Sequence, residues 1–239
     1  MAWFTAGVKR IAGPRLTTRL RSIARGYPVP RWGNMRRLTP FSDYFGFERG
    51  TPIDRFYVTG FFTTHAHEIK GRVLEIQSTS HAERFGAGVT VLHSIDIDPR
   101  FNPTFCCDLS QTQNVIASES YDCFLLPNTL AQVMDLHAAL ENAYRVVAPG
   151  GVILATCPGF VPLIPDGKEY WHVTADGWQE VFSRACPCSV LEVESHGNCL
   201  AAVAAMYGLA LEELTPAELD YKDPRYPVLV TVCCRKPAS

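Results

Sequence analysis

Acidic side chains stand at the ends of three predicted strands. Glu75 lies in the first of these strands, Asp96 follows the second and Asp108 follows the third. A carboxylate after the second strand can accept hydrogen bonds from both ribose hydroxyls of a nucleoside, and an acid or amide after the third can meet an adenine amino group. A loop after the first strand can offer backbone N–H groups to a carboxylate or a phosphate. These carboxylates therefore predict a nucleoside-sized crevice.

The loop after the first strand contains no glycine. It reads Gln77-Ser78-Thr79-Ser80, and the next glycine along the chain is Gly86. Strands of this kind usually run into glycines, whose bare backbone lets a ligand approach closely. If the Gln77 position requires a positive φ, a residue with a Cβ atom costs about 1 kcal/mol or more there. The loop is therefore compatible with two outcomes, retained and lost cofactor binding.

Strands and helices are predicted to alternate along most of the chain. Apolar runs predict strands over 72–76, 89–95, 105–107, 121–126, 152–156, 190–194 and 227–234. Helical spacing and capping residues predict helices over 52–69, 80–86, 135–147, 174–184 and 198–211, with Thr51 capping the first of them and a capping box at Thr215 and Glu218. This alternation predicts an α/β fold with a doubly wound, mostly parallel seven-stranded sheet. Ligands of such sheets bind beyond the carboxyl ends of the strands, where the strand order reverses.

The composition is that of a globular protein. The chain has 239 residues, of which 47% are hydrophobic, so it can bury a substantial core. No apolar run is long enough for a transmembrane helix, and the N-terminus lacks the features of a signal peptide. The nine cysteines include no C-x-x-C pair, although Cys186-Pro-Cys188 comes close to one. We therefore expect reduced, mostly buried thiols and a cytoplasmic location.

The charge is distributed unevenly along the chain. Residues 1–41 contain Lys9 and eight arginines and no acid, which gives this segment a charge of +9. Because the net charge of the chain is −2, the remaining residues carry a charge of −11. Leu16, Leu20, Ile23 and Ala24 are at helical spacing, which predicts a basic amphipathic helix in a basic N-terminal extension over 1–50, before a domain over 51–239. The extension could dock a protein partner, a phosphate or a membrane surface, or pack on the acidic domain itself. Nucleic-acid binding is not expected, because no aromatic-interleaved or helix-turn-helix pattern accompanies the charge.

Two stretches carry a resemblance to a known family. The run YDCFLL at 121–126 is followed by a helix and then by VAPGGVILAT at 147–156. With the acid-tipped strands, these resemble a class I S-adenosylmethionine-dependent methyltransferase. From about residue 30 to 235 the chain also resembles a bacterial subfamily of methyltransferase-domain proteins seen near glycan or natural-product biosynthesis, in RWGNMRRLTPFSDYFGFERGTPIDRFYV, GRVLEI, ERFGAG, EYWHVT and GNCLAAVAAMYGLALEELTPAELDYKDPRYPVLVTV. It departs from that subfamily at Gln77, where glycine is usual.

The resemblance implies a Rossmann-like methyltransferase fold, S-adenosylmethionine as cofactor and a set of site residues. The cofactor-binding residues would be Glu75, Gln77, Ser78, Asp96, Asp108, Leu109 and Asn128, with Asp98 as a rival to Asp96 at the ribose. The acceptor substrate would meet Arg49, Tyr57, Gln132 and Trp171. An oxygen acceptor needs a base, and the catalytic candidates are His172, Asp54 and Tyr170, with His137 behind them.

Three functions remain open from the sequence. The first is methyl transfer to an oxygen or nitrogen of a small molecule. The second keeps the fold, loses the cofactor and uses the pocket for another displacement, such as the aziridine ring closure of azinomycin-type pathways. The third is a non-catalytic subunit that docks a partner through the basic extension. A metal is not expected, because His65 and His67 have no apparent third ligand.

Overall fold

A computed structural model describes residues 31–164, 167–188 and 190–238, together with 16, 21 and 23–26. The chain divides into two compact units, Met1–Thr39 and Pro40–Ser239. The second unit thus includes residues 40–50, which the sequence analysis assigned to the extension. In the first unit, most of the predicted amphipathic helix, Leu20 included, lies outside the described residues, but Leu16, Ile23 and Ala24 are described and are helical.

Within the described residues of the second unit, seven strands form one sheet. In chain order they are β1 (Gly71–Ile76), β2 (Val89–Asp96), β3 (Phe105–Cys106), β4 (Tyr121–Pro127), β5 (Val147–Pro158), β6 (Val190–His196) and β7 (Leu229–Arg235). Across the sheet the order is β3-β2-β1-β4-β5-β7-β6. Every pair of neighbours is parallel except those that β7 forms with β5 and β6. The predicted seven-stranded, mostly parallel α/β architecture is confirmed.

Six α-helices cover the two faces of this sheet in the described part of the unit. They are α1 (Asp54–Thr64), α2 (Ser80–Phe85), α3 (Leu136–Val146), α4 (Ala175–Ala185), α5 (Cys199–Met206) and α6 (Pro216–Asp220). Alternate strand residues point to opposite faces, so Leu74 and Phe124 pack with α3 and α4, while Val73 and Leu125 pack with the other four helices. Both faces of the sheet are therefore buried, which is why the strands read as continuous apolar runs.

Several element boundaries differ from the sequence prediction, among them the end of α1, which stops at Thr64 instead of 69 because a separate 3-10 turn over Ala66–Glu68 follows it. Thr51 does not cap α1, because its backbone N–H and its hydroxyl both donate to Glu212, at 3.0 and 2.7 Å, and the helix begins at Asp54. β5 begins at Val147 instead of 152, since a register shift in β4 lets Val147 pair with Tyr121. α5 ends at Met206, before Gly208 takes a φ of +66°. The caps predicted at the starts of three other helices, at Thr174, Asn198 and Thr215, are present.

The nine cysteines are free thiols. Five of them are buried, and burial raises the pKa of Cys188, close to Cys234, to about 11. The Cys188 thiol is therefore protonated at neutral pH. Within the described ranges, none of the helices has the length and apolar character that a bilayer crossing requires.

A half-buried histidine makes stability depend on pH. Burial, followed by the charge of Lys222, lowers the pKa of His196 below its ordinary value of 6.5, and Glu194 offsets this only in part. The unfolded chain therefore binds this proton more readily, so stability is fully present above 6.5 and falls as the pH drops toward the lowered pKa. His196→Gln should flatten this fall, measured as the free energy of urea unfolding one unit above and one unit below 6.5. His137→Gln, a substitution on the exposed side of α3, is the control; equal slopes in the two variants would contradict the assignment.

Candidate functional site

The candidate site lies where the order of the strands reverses, between β1 and β4. Strands β2 and β3 continue outward on one side of β1, and β5 continues beyond β4 on the other. The Gln77 N–H donates to the Ile95 carbonyl at 2.8 Å, and the Asn128 N–H donates to the Thr156 carbonyl at 2.8 Å. The loop after β1 is thus hydrogen-bonded to the end of β2, and the loop after β4 is hydrogen-bonded to β5. Both loops follow the strands between which a doubly wound sheet opens its ligand crevice.

Glu75 lies at this edge, but its carboxylate is already engaged within the chain. The residue is fully buried. One carboxylate oxygen accepts from the His81 backbone N–H at 3.1 Å and lies 2.7 Å from His81 Nδ1, and the other accepts from the Ala82 N–H at 2.9 Å. Glu75 therefore holds the first turn of α2, and its predicted contact with the cofactor stays a prediction.

Gln77 has the backbone conformation that glycine would adopt most easily. Its φ is +64°, in the left-handed region, and its side chain is exposed. The loop has thus kept the shape of a glycine turn without the glycine. Ser78 and Ser80, whose hydroxyl oxygens are 3.0 Å apart, are also exposed in this loop.

We expect Gln77→Gly to stabilise the protein by about 1 kcal/mol, because glycine enters the left-handed region without a Cβ penalty. The measurement is the free energy of unfolding from urea titrations of both proteins. Asn102, with a φ of +49° in an exposed turn, supplies the control. Asparagine tolerates this region, so Asn102→Gly should change stability by less than about 0.5 kcal/mol. No gain in Gln77→Gly over Asn102→Gly would show that the turn is not strained.

The carboxylates at the ends of β2 and β3 differ in how many of their oxygens already accept hydrogen bonds. Asp96 accepts the Asp98 N–H at 2.6 Å through Oδ1, and its Oδ2 has no hydrogen-bond partner in the described chain. Both oxygens of Asp98 are bound by Arg100, which lowers the pKa of that carboxyl. Asp108 uses one oxygen for the Ser110 N–H and hydroxyl, both at 2.8 Å. Of the two rivals for a ribose contact, Asp96 is therefore the one with an acceptor to spare.

A chain of hydrogen bonds joins the ends of β4 and β5 to the start of α1. The Thr156 hydroxyl donates to Asn128 Oδ1 at 2.8 Å, and Asn128 Nδ2 donates to Asp54 Oδ2 at 2.9 Å. Asn128 is in a left-handed conformation with a φ of +49°, which directs its side chain back toward these partners. The chain orients the Asp54 carboxylate and leaves its Oδ1 without a hydrogen bond in the described chain. Two predicted site residues, 74 positions apart, are thereby brought together.

The segment around Trp171 lies beside the loop that follows β4. The N–H groups of Tyr170 and Trp171 donate to the Ala131 carbonyl at 2.8 and 3.3 Å, and the Trp171 indole donates to the Val133 carbonyl at 2.8 Å. Gln132 donates to the Asn128 carbonyl at 3.4 Å from the same loop. His172 is exposed. Tyr170, Trp171 and Gln132 thus lie near Asn128, while among the described residues His172 has no hydrogen bond or ion pair that orients it.

Two predicted substrate residues are bound elsewhere. Arg49 donates to Glu213 Oε2 at 2.9 Å and forms a two-point ion pair with that carboxylate. Tyr57 is buried and donates to the Leu219 carbonyl at 3.1 Å, and burial together with Asp220 raises its pKa to about 12. Both residues fix α1 and its approach to the C-terminal part of the domain. Leu109, predicted beside the adenine, is buried in the core, with 5% of its surface exposed.

Large apolar side chains are exposed along the same edge of the sheet. They lie in the connections that leave β2, β4 and β5, and they are Ile97, Phe101, Met134, Phe160, Leu163, Tyr170 and Trp171. A cavity of about 570 Å³ opens beside them, lined by Met134, Trp171, Val173 and residues of α3 and α4. Exposed apolar surface gathered at one edge indicates a binding surface.

The residues at the edge fit an S-adenosyl cofactor in its nucleoside half. The free Asp96 oxygen is a suitable acceptor for ribose hydroxyls, and the remaining Asp108 oxygen lies after the neighbouring strand, two residues beyond the Cys106 that pairs with Asp96. The amino-acid half would meet the Ser78 and Ser80 hydroxyls instead of the occupied Glu75 carboxylate.

One partner in this site was missed by the sequence analysis. Thr156 was included only as the last residue of a predicted strand, yet its buried hydroxyl sets the Asn128 amide. The available signal was a threonine ending an otherwise apolar strand, next to a strand that ends in Pro127-Asn128.

Comparisons with known proteins identify the fold and a family match over part of the chain. A family model described as a methyltransferase domain matches residues 78–155. No curated protein matches the chain. An S-adenosylmethionine-dependent methyltransferase of known structure from Mesorhizobium loti is 15% identical, with 77% of this chain and 100% of that one covered and a TM-score of 0.52.

Two further solved structures have similar scores. One is an S-adenosylmethionine-dependent methyltransferase from Thermotoga maritima, described as a possible histamine N-methyltransferase, at 16% identity, covering 80% of this chain and 94% of that one, with a TM-score of 0.54. The other is the [4+2]-cyclase SpnF, at 16% identity, 94% and 93% coverage and a TM-score of 0.52. The chain therefore has the predicted Rossmann-like methyltransferase fold, and the family match supports the class I superfamily over residues 78–155.

Proposed function

We propose that the protein is an S-adenosylmethionine-dependent methyltransferase that acts on a small molecule. The observation that carries this proposal is the hydrogen-bonded chain Thr156–Asn128–Asp54 at the strand-order reversal, on the same edge of the sheet as the Asp96 carboxylate at the end of β2. It combines an oriented base with a ribose acceptor at the edge where doubly wound sheets bind ligands. The methyltransferase family match over residues 78–155 supports the same conclusion.

Asp54 is the residue best placed to act as the base. The cofactor would supply a methyl group on a positively charged sulfur. Asn128 holds Asp54 Oδ2, so the free Oδ1 is available to accept the proton that an acceptor hydroxyl loses. Arg55 Nη1 lies 3.9 Å from Asp54 Oδ2. Tyr170 and Trp171 would contact the acceptor from the other side of the Asn128 loop.

The exposed apolar side chains suggest the class of acceptor. Ile97, Met134 and Trp171 come from three different connections at the site edge and are all exposed. An acceptor that carries an apolar body beside its hydroxyl or amine would cover this surface and remove it from water. This fits the small-molecule methylation in natural-product or glycan biosynthesis that the sequence resemblance implies.

The test is release of S-adenosylhomocysteine from S-adenosylmethionine in the presence of a panel of hydrophobic phenols, alcohols and amines, followed by mass spectrometry. We expect Thr156→Val to lower kcat by about 10-fold or more, because Asn128 and Asp54 lose their orientation. Thr231→Val is the matched control, since Thr231 is also buried and is the residue that pairs with Thr156 across β5 and β7. Equal rates in the two variants would show that the hydrogen-bonded chain does not position the base.

A second candidate function rests on the loop at Gln77. Gln77 places a side chain in a left-handed turn where the subfamily that the chain resembles usually has glycine. If that side chain blocks the cofactor, the same pocket could catalyse an intramolecular displacement or ring closure with Asp54 as base. The fold does not separate the two functions, because one of its structural matches is described as a cyclase.

A further inference from the structure

A group of side chains that could bind a metal lies on the sheet face covered by α1. His65 follows the last turn of α1, while Asp54 begins that helix, so about 16 Å of helix separates this group from the candidate base. The donor atoms of His65, Glu192 and Cys233 lie within 4.8 Å of one another. All three line a cavity of about 840 Å³, which is open to solvent beside β6 and α1.

His65 brings an unpaired nitrogen to this group. Its Nδ1 is buried, and it has no hydrogen-bond partner in the described part of the chain. The closest carboxylate oxygen, Glu68 Oε2, is 3.7 Å away, which is too long for a hydrogen bond. A buried polar atom without a partner costs about 1–3 kcal/mol. A ligand that this nitrogen could bind would remove that cost.

Glu192 and Cys233 are brought together by strand pairing. They are directly opposite each other in the antiparallel pair of β6 and β7. Side chains of directly opposed residues leave the sheet on the same face, with Cβ atoms about 4.5–5.5 Å apart. Cys233 is buried and Glu192 is exposed, so one donor is fixed and the other can swing inward from solvent.

Glu68 offers a fourth donor next to the other three. Its Oε1 forms an ion pair with Arg235 at 2.5 Å, while its Oε2 lies 3.9 Å from Cys233 Sγ. A divalent ion bound by the Cys233 thiolate, Glu192 and Glu68 would give a neutral group, because Arg235 supplies the remaining positive charge. Near neutrality is what a partly buried ionic group requires.

We propose that His65, Glu192 and Cys233, with Glu68 as a fourth donor, form a zinc-class divalent cation site that joins the end of α1 to the β6–β7 pair. Imidazole nitrogen, thiolate sulfur and carboxylate oxygen are the three ligand types of zinc. Magnesium and calcium bind oxygen donors and would not select this cysteine. Zinc bonds are about 2.0–2.3 Å long, so the donor atoms would move closer together on binding, and the exposed Glu192 side chain is free to move inward. On binding, the thiol proton passes to solvent and the Sγ–metal bond takes its place.

The sequence predicted no metal because the ligands of this site are far apart along the chain. His65 and His67 were noticed, but the third ligand is more than a hundred residues away and reaches the site only through the β6–β7 pairing. His67, whose side chain is 73% exposed, does not belong to the group.

The experiment uses the full chain, freed of metal with a chelator and titrated with zinc or with cobalt. In separate titrations, the wild-type protein should bind one zinc ion or one cobalt ion per chain. The cobalt-bound protein should show a thiolate-to-cobalt charge-transfer band. Glu192→Gln should weaken zinc binding by about 10-fold or more, by analogy with the loss of groups that support metal sites. Glu194→Gln is the matched control, because Glu194 is an exposed glutamate two residues along the same strand and face.

Cys233→Ser should remove the cobalt band, and Cys199→Ser, at an exposed cysteine outside the group, should keep it. Glu192 is exposed, so its variant should fold even if the buried Cys233 variant does not. Wild-type protein without stoichiometric binding or without the thiolate band would overturn the proposal. So would a Glu192→Gln variant that binds zinc as tightly as Glu194→Gln.

Discussion

Asp96→Ala should abolish the thermal stabilisation that S-adenosylhomocysteine gives the wild-type protein. At 100 times its dissociation constant, the ligand should stabilise the wild-type chain by about 2.7 kcal/mol. The free Asp96 oxygen is the proposed acceptor for the ribose, and each hydrogen bond to a charged group contributes about 1.5–3 kcal/mol. Loss of two such bonds would weaken binding by more than about 100-fold. The measurement is the shift in Tm on adding the ligand.

Two further variants separate ligand contact from loop damage. Asp96→Asn keeps an oxygen for the Asp98 N–H and replaces the free oxygen with a donor, so it should fold normally and still lose the shift. Asp98→Ala removes the carboxylate that Arg100 already occupies, so it should keep the shift. An undiminished shift in Asp96→Asn would mean that the ribose does not bind after β2.

Asp54→Asn should lower kcat for methyl transfer to an oxygen acceptor by about 10²–10⁴-fold, the usual contribution of a positioned base. The amide is similar in size to the carboxylate but does not accept a proton at neutral pH. The Asp54 side chain is bound by Asn128 at the start of α1 and is not among the residues proposed to bind the cofactor, so S-adenosylhomocysteine should still raise the Tm. The measurement is the rate of S-adenosylhomocysteine release with saturating acceptor.

The control for Asp54→Asn is a matched change in another helix. Asp176 lies in the first turn of α4 and is exposed, so Asp176→Asn removes a comparable interaction with a helix N-terminus. It should leave kcat unchanged. A similar loss in both variants, or full activity in Asp54→Asn with an oxygen acceptor, would contradict the role of Asp54 as base.

The sheet could be predicted from the sequence because its strands are buried on both faces. Continuous apolar runs such as those at 123–126 and 152–155 mark central strands. The exact starts of β5 and α1 were not predictable. They depend on the register shift beside Tyr121 and on the bond from Thr51 to Glu212, a residue 161 positions away.

The candidate site was predictable only in part. Asp96 and Asn128 follow apolar strands, so the parallel sheet alone places them at one edge. The occupation of Glu75 was not predictable, because it depends on how the short helix α2 turns its N–H groups onto that carboxylate. In the sequence, Asp54 was a candidate base and Thr156 was only a residue of a predicted strand. The structure links them, because both are hydrogen-bonded to the Asn128 side-chain amide. Contacts between residues that are far apart in the sequence could not be predicted from one sequence alone.

The most direct test of the account is a crystal structure of the chain grown with S-adenosylhomocysteine. We expect the ligand at the strand-order reversal, with its ribose hydroxyls on the free Asp96 oxygen and its sulfur facing the Asn128 and Asp54 side chains. The Gln77 side chain should remain outside, in solvent. Ligand found in the 840 Å³ cavity beside α1, or a crevice closed by Gln77 with no ligand at saturating concentration, would contradict the assignment.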